Sequence, residues 1–443
     1  MSFLARFSGQ FPPACFHLQN DYNADAAACG LLTLVVGIPM RTLALLLAGL
    51  WGFAAAGCGR VSEANVERYT PPPQVALENN RFALALYKQL SQESHDSLFI
   101  SLYSISTAMA MTYAGAKGET AEQIAKTLDF TLPPEQFHSV YGAMLRGLPG
   151  ASRQGCELRV ANRLWGQEGY KFLAPFLQIT KDDYGAELAQ LDFVNHREAA
   201  RETINSWTAK QTDDKITDAV GPDSLAADTR LVLTNAIYFK GQWAKQFSAS
   251  ATHKAAFHVS PERSVEVEMM RQSSTFDFKW TQTADILQFR YVGGDLAMDI
   301  LLPRAVDGLG DLEKSLTLDS LRQWLSELNE YEVVVWLPRF TLTREIDLKQ
   351  ALSTMGMPLA FLSKKADLSG MDGSRDLFIA AALHKASVNV NEEGTEAAAV
   401  THVQADAKSA EPPPVLIDHP FIFLIRDLQS DSILFMGRYL GPD

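Results

Sequence analysis

Hydrophobic positions return along this chain at two different spacings. Phe82, Leu86 and Leu90 recur every fourth residue, which predicts an amphipathic helix near the start of the folded region. The run "DSLFIS" then reads as a short buried strand ending at Ser101, and "EVVVWLPRF", Glu332 to Phe340, as a longer one. "DLKQALSTMG" predicts a helix with Asp347 as its N-cap, Leu348, Leu352 and Met355 on one face, and Gly356 as the stop. Near the C-terminus "FIFLI" and "SILFMG" flank the polar "RDLQSD", the pattern of a β-hairpin. Helices gather early and strands late, with no βαβ alternation and no internal repeat. The pattern therefore predicts one large α+β domain over residues 75–443.

One stretch breaks the pattern. "NEEGTEAAAVTHVQADAKSAEPPP", Asn391 to Pro414, lies between two strand-like runs. From Thr395 onward alternate residues are small or modestly apolar: Thr395, Ala397, Ala399, Thr401, Val403 and Ala405. The residues between them, Glu396 to Asp406, turn polar toward the end. A period of two fits a strand with one buriable face. Yet so much Ala, with Glu, Gln and Pro, gives a low β-propensity beside the upstream Ala386, Val388 and Val390. On composition a solvated linker or an Ala-rich helix fits as well. Gly394 offers a place for a tight reversal, because glycine tolerates positive φ.

Composition narrows the classes. Of 443 residues, 47% are hydrophobic and 21% charged, as in an ordinary globular protein. A net charge of -13 argues against a nucleic-acid-binding surface, which needs a basic footprint. "MRTLALLLAGLWGFAAAGCG" opens with Met40 and Arg41, continues apolar and ends in small residues at Cys58. That is the layout of a secretory leader. The "AAGC" ending resembles a bacterial lipoprotein signal with Cys58 lipidated, although Ala55 stands where leucine is usual. A transmembrane anchor is the alternative, but Pro39 and Arg41 interrupt the apolar stretch. Residues 1–39 then read as an upstream non-native extension, 40–58 as the signal, and 59–74, rich in polar residues and proline, as a tether. Export is expected, with a lipid anchor at a bacterial outer membrane or cell surface, or release to the periplasm or medium. Cys15 and Cys29 precede the cleavage point. Cys156 is left as a structural thiol, so no disulfide framework and no metal-type pair exists.

Enzyme motifs are absent: no HExxH, GxSxG, GxGxxG or GxxxxGK[ST] occurs. His384 in "LHKAS" has the chemistry of a general base, but its apolar neighbours favour a hydrogen-bonded core histidine.

Here the residues match a family. "NEEGTEAAAVT" resembles the hinge of the serpins, and "DHPFIFLIRD" with "ILFMGRYLGP" resembles their C-terminal signature. "SISTAMAMTYAGAKGETAEQI", "ANRLWGQ", "INSWTAKQTDDKI", "LVLTNAIYFKGQW", "VEMM", "LPRF" and "LHKASVNVNEEGTEAA" follow in family order. The resemblance implies the serpin fold, with three β-sheets, eight or nine helices and an exposed reactive loop at about residues 392–414. It implies an inhibitor, not an enzyme: a target serine protease cuts the loop, is held as an acyl complex, and the loop enters the main sheet. The handover of roles places the hinge at Glu393, Gly394, Thr395, Glu396, Ala397, Ala398 and Ala399. Ser101, Ser104, Asn235 and His384 match the shutter, where the sheet must open, and Trp243 matches the breach, where insertion begins. Ser101 is followed by Leu102 where the family usually has proline. No cofactor is implied, no nucleic-acid partner, and a monomer.

Counting from Gly394 at the family spacing puts Lys408 before the scissile bond and Ser409 after it, which suits a trypsin-like enzyme. Lys408 as a mere solvating charge, or cleavage after Ala405 or Ala407 by elastase-like or subtilisin-like proteases, are the alternatives. A papain-like cysteine protease as target, or a non-inhibitory serpin-fold binding protein, are the others.

Overall fold

The structure, a computed structural model, describes residues 72–147, 155–395 and 412–442. The extension, leader, Cys58 and most of the tether lie outside the described residues.

The first helix, α1 (Pro73–Glu93), starts on a proline whose missing N–H costs nothing at that position. It buries Phe82, Leu86 and Leu90, the stripe its spacing predicts. Strand β1 (Leu98–Ile100) follows, then α2 (Leu102–Tyr113). Ser101 caps α2 by accepting a hydrogen bond from the Ser104 N–H.

Among the described residues the strands form two hydrogen-bonded sheets. In chain order they continue as β2 (Cys156–Gln167), β3 (Ala189–Leu191), β4 (Leu231–Gln242), β5 (His253–Ser260), β6 (Arg263–Trp280), β7 (Ala284–Arg290) and β8 (Leu296–Pro303). After these come β9 (Asn329–Pro338), β10 (Phe340–Asp347), β11 (Ala381–Val390), β12 (Gly394–Thr395), β13 (Pro414–Leu416), β14 (Phe421–Asp427) and β15 (Ser432–Tyr439). The larger sheet has the order β1-β15-β14-β8-β7-β6-β9-β13, with β5 on β6. The smaller has the order β10-β11-β4-β2-β3, with β12 on β4. Its interior holds one unusual pairing. β11 and β4 run parallel, while β10 is antiparallel to β11 and β2 antiparallel to β4; only the short edge pair β2–β3 is parallel as well.

The helix over residues 349–355 forms, but its N-cap is Leu348 and not Asp347; the Asp347 carboxylate, one residue earlier, accepts from the Lys349 N–H at 3.0 Å. β14 and β15 form the expected hairpin. Two further expectations need correction. "EVVVWLPRF" is not one strand: β9 ends at Pro338 in the larger sheet and β10 starts at Phe340 in the smaller. Pro338 has no N–H to donate, and the Arg339 N–H makes the last bond to β6, to Glu268 O at 2.8 Å, before the chain passes into the smaller sheet at Phe340. Strands are also not confined to the later half, because β2 and β4 are twelve residues each. β4 is buried along nearly its whole length, so it lacks the alternation that marks a half-exposed strand. Among the described residues no helix is long and apolar enough to cross a membrane.

Candidate functional site

The site is the β11–β4 seam, α2 beneath it, and the turn at its upper end. Register sets His384 of β11 directly beside Asn235 of β4. The His384 Nε2 accepts from the Ser101 N–H at 3.1 Å, which leaves the proton on Nδ1 to be donated to Asn235 Oδ1. Asn235 Nδ2 donates to Ser104 Oγ at 2.5 Å and to Asn162 Oδ1. Ser104 Oγ donates a hydrogen bond to the same Asn162 oxygen at 3.0 Å, and Ser101 Oγ donates to Leu434 O at 3.1 Å.

The four residues named from the resemblance thus meet in one network that crosses the seam. Sequence reasoning missed Asn162 on β2, although the motif "ANRLWGQ" contains it. An amide between the buried Ala161 and Leu164 was the available signal. Complete burial holds the His384 pKa down at about 3, so the ring is neutral at physiological pH. Both ring nitrogens are already bonded and the ring is inaccessible. A general-base role has no geometry here.

At the upper end the chain reverses. Asn391 and Gly394 exchange two backbone hydrogen bonds, of 2.8 and 3.2 Å, around Glu392 and Glu393. The reversal therefore falls on that glutamate pair, capped by Asn391 Oδ1 accepting from the Glu393 N–H at 3.1 Å. Gly394 has a different task. It carries φ +143°, and a Cβ there would sit 2.1 Å from Gly241 O. Only glycine lets the chain come this close to β4.

Trp243 holds the turn at two points. Its indole N–H donates to Asn391 O at 3.0 Å and its backbone N–H to Glu393 O at 2.9 Å. The indole is itself fixed by stacking on Tyr291, with centroids 4.7 Å apart. Phe247 N–H binds Glu392 O at 2.8 Å, and Thr252 Oγ1 binds the Glu392 carboxylate at 2.8 Å.

Beyond the turn β12 pairs antiparallel with β4, Gly394 against Gln242 and Thr395 against Gly241. Where β11 leaves β4, β12 takes its edge. The rest of the hinge, Glu396, Ala397, Ala398 and Ala399, and the bond Lys408–Ser409 lie outside the described residues. The chain is described again at Pro412, and β13 pairs parallel with β9. Among the described residues no three His, Cys, Asp or Glu side chains are placed to hold a metal. Cys156 is buried and is not part of a disulfide.

The chain matches the family profile described as "Serpin (serine protease inhibitor)" over residues 77–442. It is 42% identical over 383 residues to the leukocyte elastase inhibitor of Bos taurus, across 83% of this chain and 100% of that one. It is 41% identical over 381 residues to the Homo sapiens protein of the same name, with the same coverage. Among solved structures, uncleaved ovalbumin superposes with a TM-score of 0.78 at 31% identity, over 83% of this chain and 100% of ovalbumin. Human thyroxine-binding globulin, solved in complex with thyroxine, gives 0.77 at 30% identity, covering 83% of this chain and 98% of that one. The two inhibitors are mammalian proteins and lend no support to the bacterial source expected from the leader-like segment.

Proposed function

The chain belongs to the serpin family of protease inhibitors, and we propose that it acts once, as a loop that is cut and then fills the β11–β4 seam. The observation that carries this reading is register. β12 is antiparallel to β4 in one fixed alignment, and the Asn391–Gly394 bridge fixes a second alignment to β11. Continued residue by residue, the two ladders agree. Ala397 would lie between Phe239 and Val388, Ala399 between Ile237 and Ala386, and Thr401 between Asn235 and His384. Asn235 and His384 are already neighbours across the seam. The sheet would need to part sideways by about one strand spacing, ~4.8 Å, with no slide along the strands. One parallel pairing would be exchanged for two antiparallel ones, which are slightly more stable per residue. The uncut state is then kinetically held.

In the inhibitory reaction the protease serine oxygen attacks the carbonyl of the residue before the scissile bond. The peptide bond breaks, the new amine leaves with the C-terminal piece, and an ester joins protease to inhibitor. We place that bond at Lys408–Ser409, which favours a trypsin-like enzyme with an acidic specificity pocket. A second reading is an elastase-type target, supported by the names of the relatives and by Ala405 and Ala407 in the loop. Incubation with trypsin, elastase and subtilisin separates them, read by SDS-stable complexes and sequencing of the released C-terminal peptide. The proposal expects a covalent band with trypsin, a peptide beginning at Ser409, and loss of both in Lys408→Ala. Cleavage without a stable band for every protease would refute inhibition. A peptide beginning at Asp406 or Lys408 would shift the target to the elastase class.

A further inference from the structure

A cleft of about 390 Å³ opens against Trp243, walled by Trp243, Phe276 and Phe289 and rimmed by Lys245, Arg290 and Glu330. Its size lies within the range of small-molecule sites, which orient ligands by a few polar groups on a mostly apolar wall. The wall is rigid. Phe289 lies 5.7 Å from Trp243 and 5.2 Å from Phe276, centroid to centroid, and all three residues are buried.

The polar rim is only partly used. Arg290 is committed to Asp277, with Nε and Nη2 each 2.9 Å from one carboxylate oxygen. Lys245 Nζ donates one hydrogen to Thr275 O at 2.6 Å, which leaves two N–H groups for a ligand. Glu330 stands opposite Asp277 across β6 and β9, and no cation among the described residues pairs with it. The cleft therefore offers spare donors at Lys245 and a spare carboxylate at Glu330. Thr275 and Asp277 are two residues apart on β6, about 7 Å along the strand. The adjacent ammonium and carboxylate of an α-amino acid bridge such a span with one charge-assisted bond of about 2.8 Å at each end.

We propose that this cleft binds the zwitterion of a free aromatic α-amino acid, its ring against Trp243 and Phe289, its carboxylate on Lys245 and its ammonium on Glu330. A simple anion would face the two carboxylates, and a purely apolar ligand would strip water from Lys245 and Glu330 without replacing it.

The test is calorimetric titration of the full chain with L-tryptophan, tryptamine and indole-3-propionate as probes. Wild type binds L-tryptophan saturably, one per chain. Lys245→Met weakens L-tryptophan about tenfold, the loss of one charge-assisted bond, and leaves tryptamine unchanged. Glu330→Gln weakens L-tryptophan to a similar degree and leaves indole-3-propionate unchanged. Ala244→Trp, at an exposed position lining the cleft, fills it and abolishes binding of all three. These side chains are at the surface, and unchanged thermal melting confirms that each variant folds. No saturable binding of L-tryptophan at millimolar concentration overturns the proposal, as does equal affinity in wild type and all three variants.

Discussion

Two adjacent alanines offer a sharp test of the insertion register. Continuing the ladders from Gly394–Gln242 and Asn391–Gly394 puts Ala399 between Ile237 and Ala386, which are 1% and 0% exposed. Ala398, one residue earlier, would point to the opposite face, between Tyr238 and Ser387. That face has polar company: the Ser387 hydroxyl bonds Thr343, and Lys215 lies 5.4 Å from the Tyr238 ring. The same substitution, alanine to aspartate, should therefore have opposite outcomes at the two sites.

An aspartate at 399 must be buried among hydrocarbon or protonated. Protonating a carboxyl of ordinary pKa ~3.9 at pH 7.4 costs about 1.36 kcal/mol per unit, or roughly 5 kcal/mol. If the barrier to insertion carries about half of that, insertion slows some 50-fold or more. Deacylation then wins, and the protein becomes a substrate. Stoichiometry of inhibition against the protease that forms the covalent complex measures the partition. Ala399→Asp is expected to lose nearly all of the SDS-stable complex while being cut at the same bond. Ala398→Asp is expected to stay within about threefold of wild type, because its carboxylate keeps water or polar partners. If the two variants behave alike, the register is wrong.

Two further outcomes follow from the site. His384 is held neutral by burial, with a pKa of about 3 against the ordinary 6.5, so the unfolded chain binds the extra proton as pH falls between these values. Stability is fully present above pH 6.5 and falls toward pH 3, by about 3 kcal/mol at pH 4.5. The drop in urea midpoint from pH 7.5 to 4.5 should be smaller in His384→Gln, and an equal drop in both proteins refutes the assignment. Gly394→Val places a Cβ 2.1 Å from Gly241 O and 2.7 Å from the Trp243 nitrogen. Its turn should lift from β4, seen as faster hydrogen exchange at the Trp243 amide, and inhibition should fail; unchanged exchange would show that the close contact is not required.

How much of this was legible in the sequence depends on the range of each interaction. The stripe Phe82, Leu86 and Leu90, the helix that stops at Gly356 and the hairpin around Leu428–Gln429 are local, and spacing alone reports them. The β11–β4 seam joins residues 149 positions apart, and no periodicity within either strand says that they run parallel. Register arises between strands, so the sequence offered the alternation from Thr395 onward but not the face it presents. Asn162 is polar inside a strand for a reason that appears only when Ser104 and Asn235 arrive beside it. What looks like one strand is divided at Arg339, where the chain leaves β6 in the larger sheet and pairs with β11 in the smaller, and Glu392–Glu393 carry the reversal while Gly394 serves a close approach.

The weak β-propensity of the loop, which left a linker and a helix open as readings, is the property that the proposed insertion demands. The ladder from Gly394 to Ala405 would match all twelve residues of β4, Leu231 to Gln242. A loop of valine and isoleucine beside that seam would have every local reason to enter it before any bond was cut. Small residues on the inward positions fit beneath an already packed sheet, yet they bring little intrinsic drive toward a strand. Trp243 adds the complementary restraint, clamping the turn at Asn391 and Glu393 so that the first rung is set. Alternation supplies the fit and alanine supplies the delay. A single-use inhibitor needs both in the same dozen residues, since either alone would give a strand inserted too early or a loop cut to no effect.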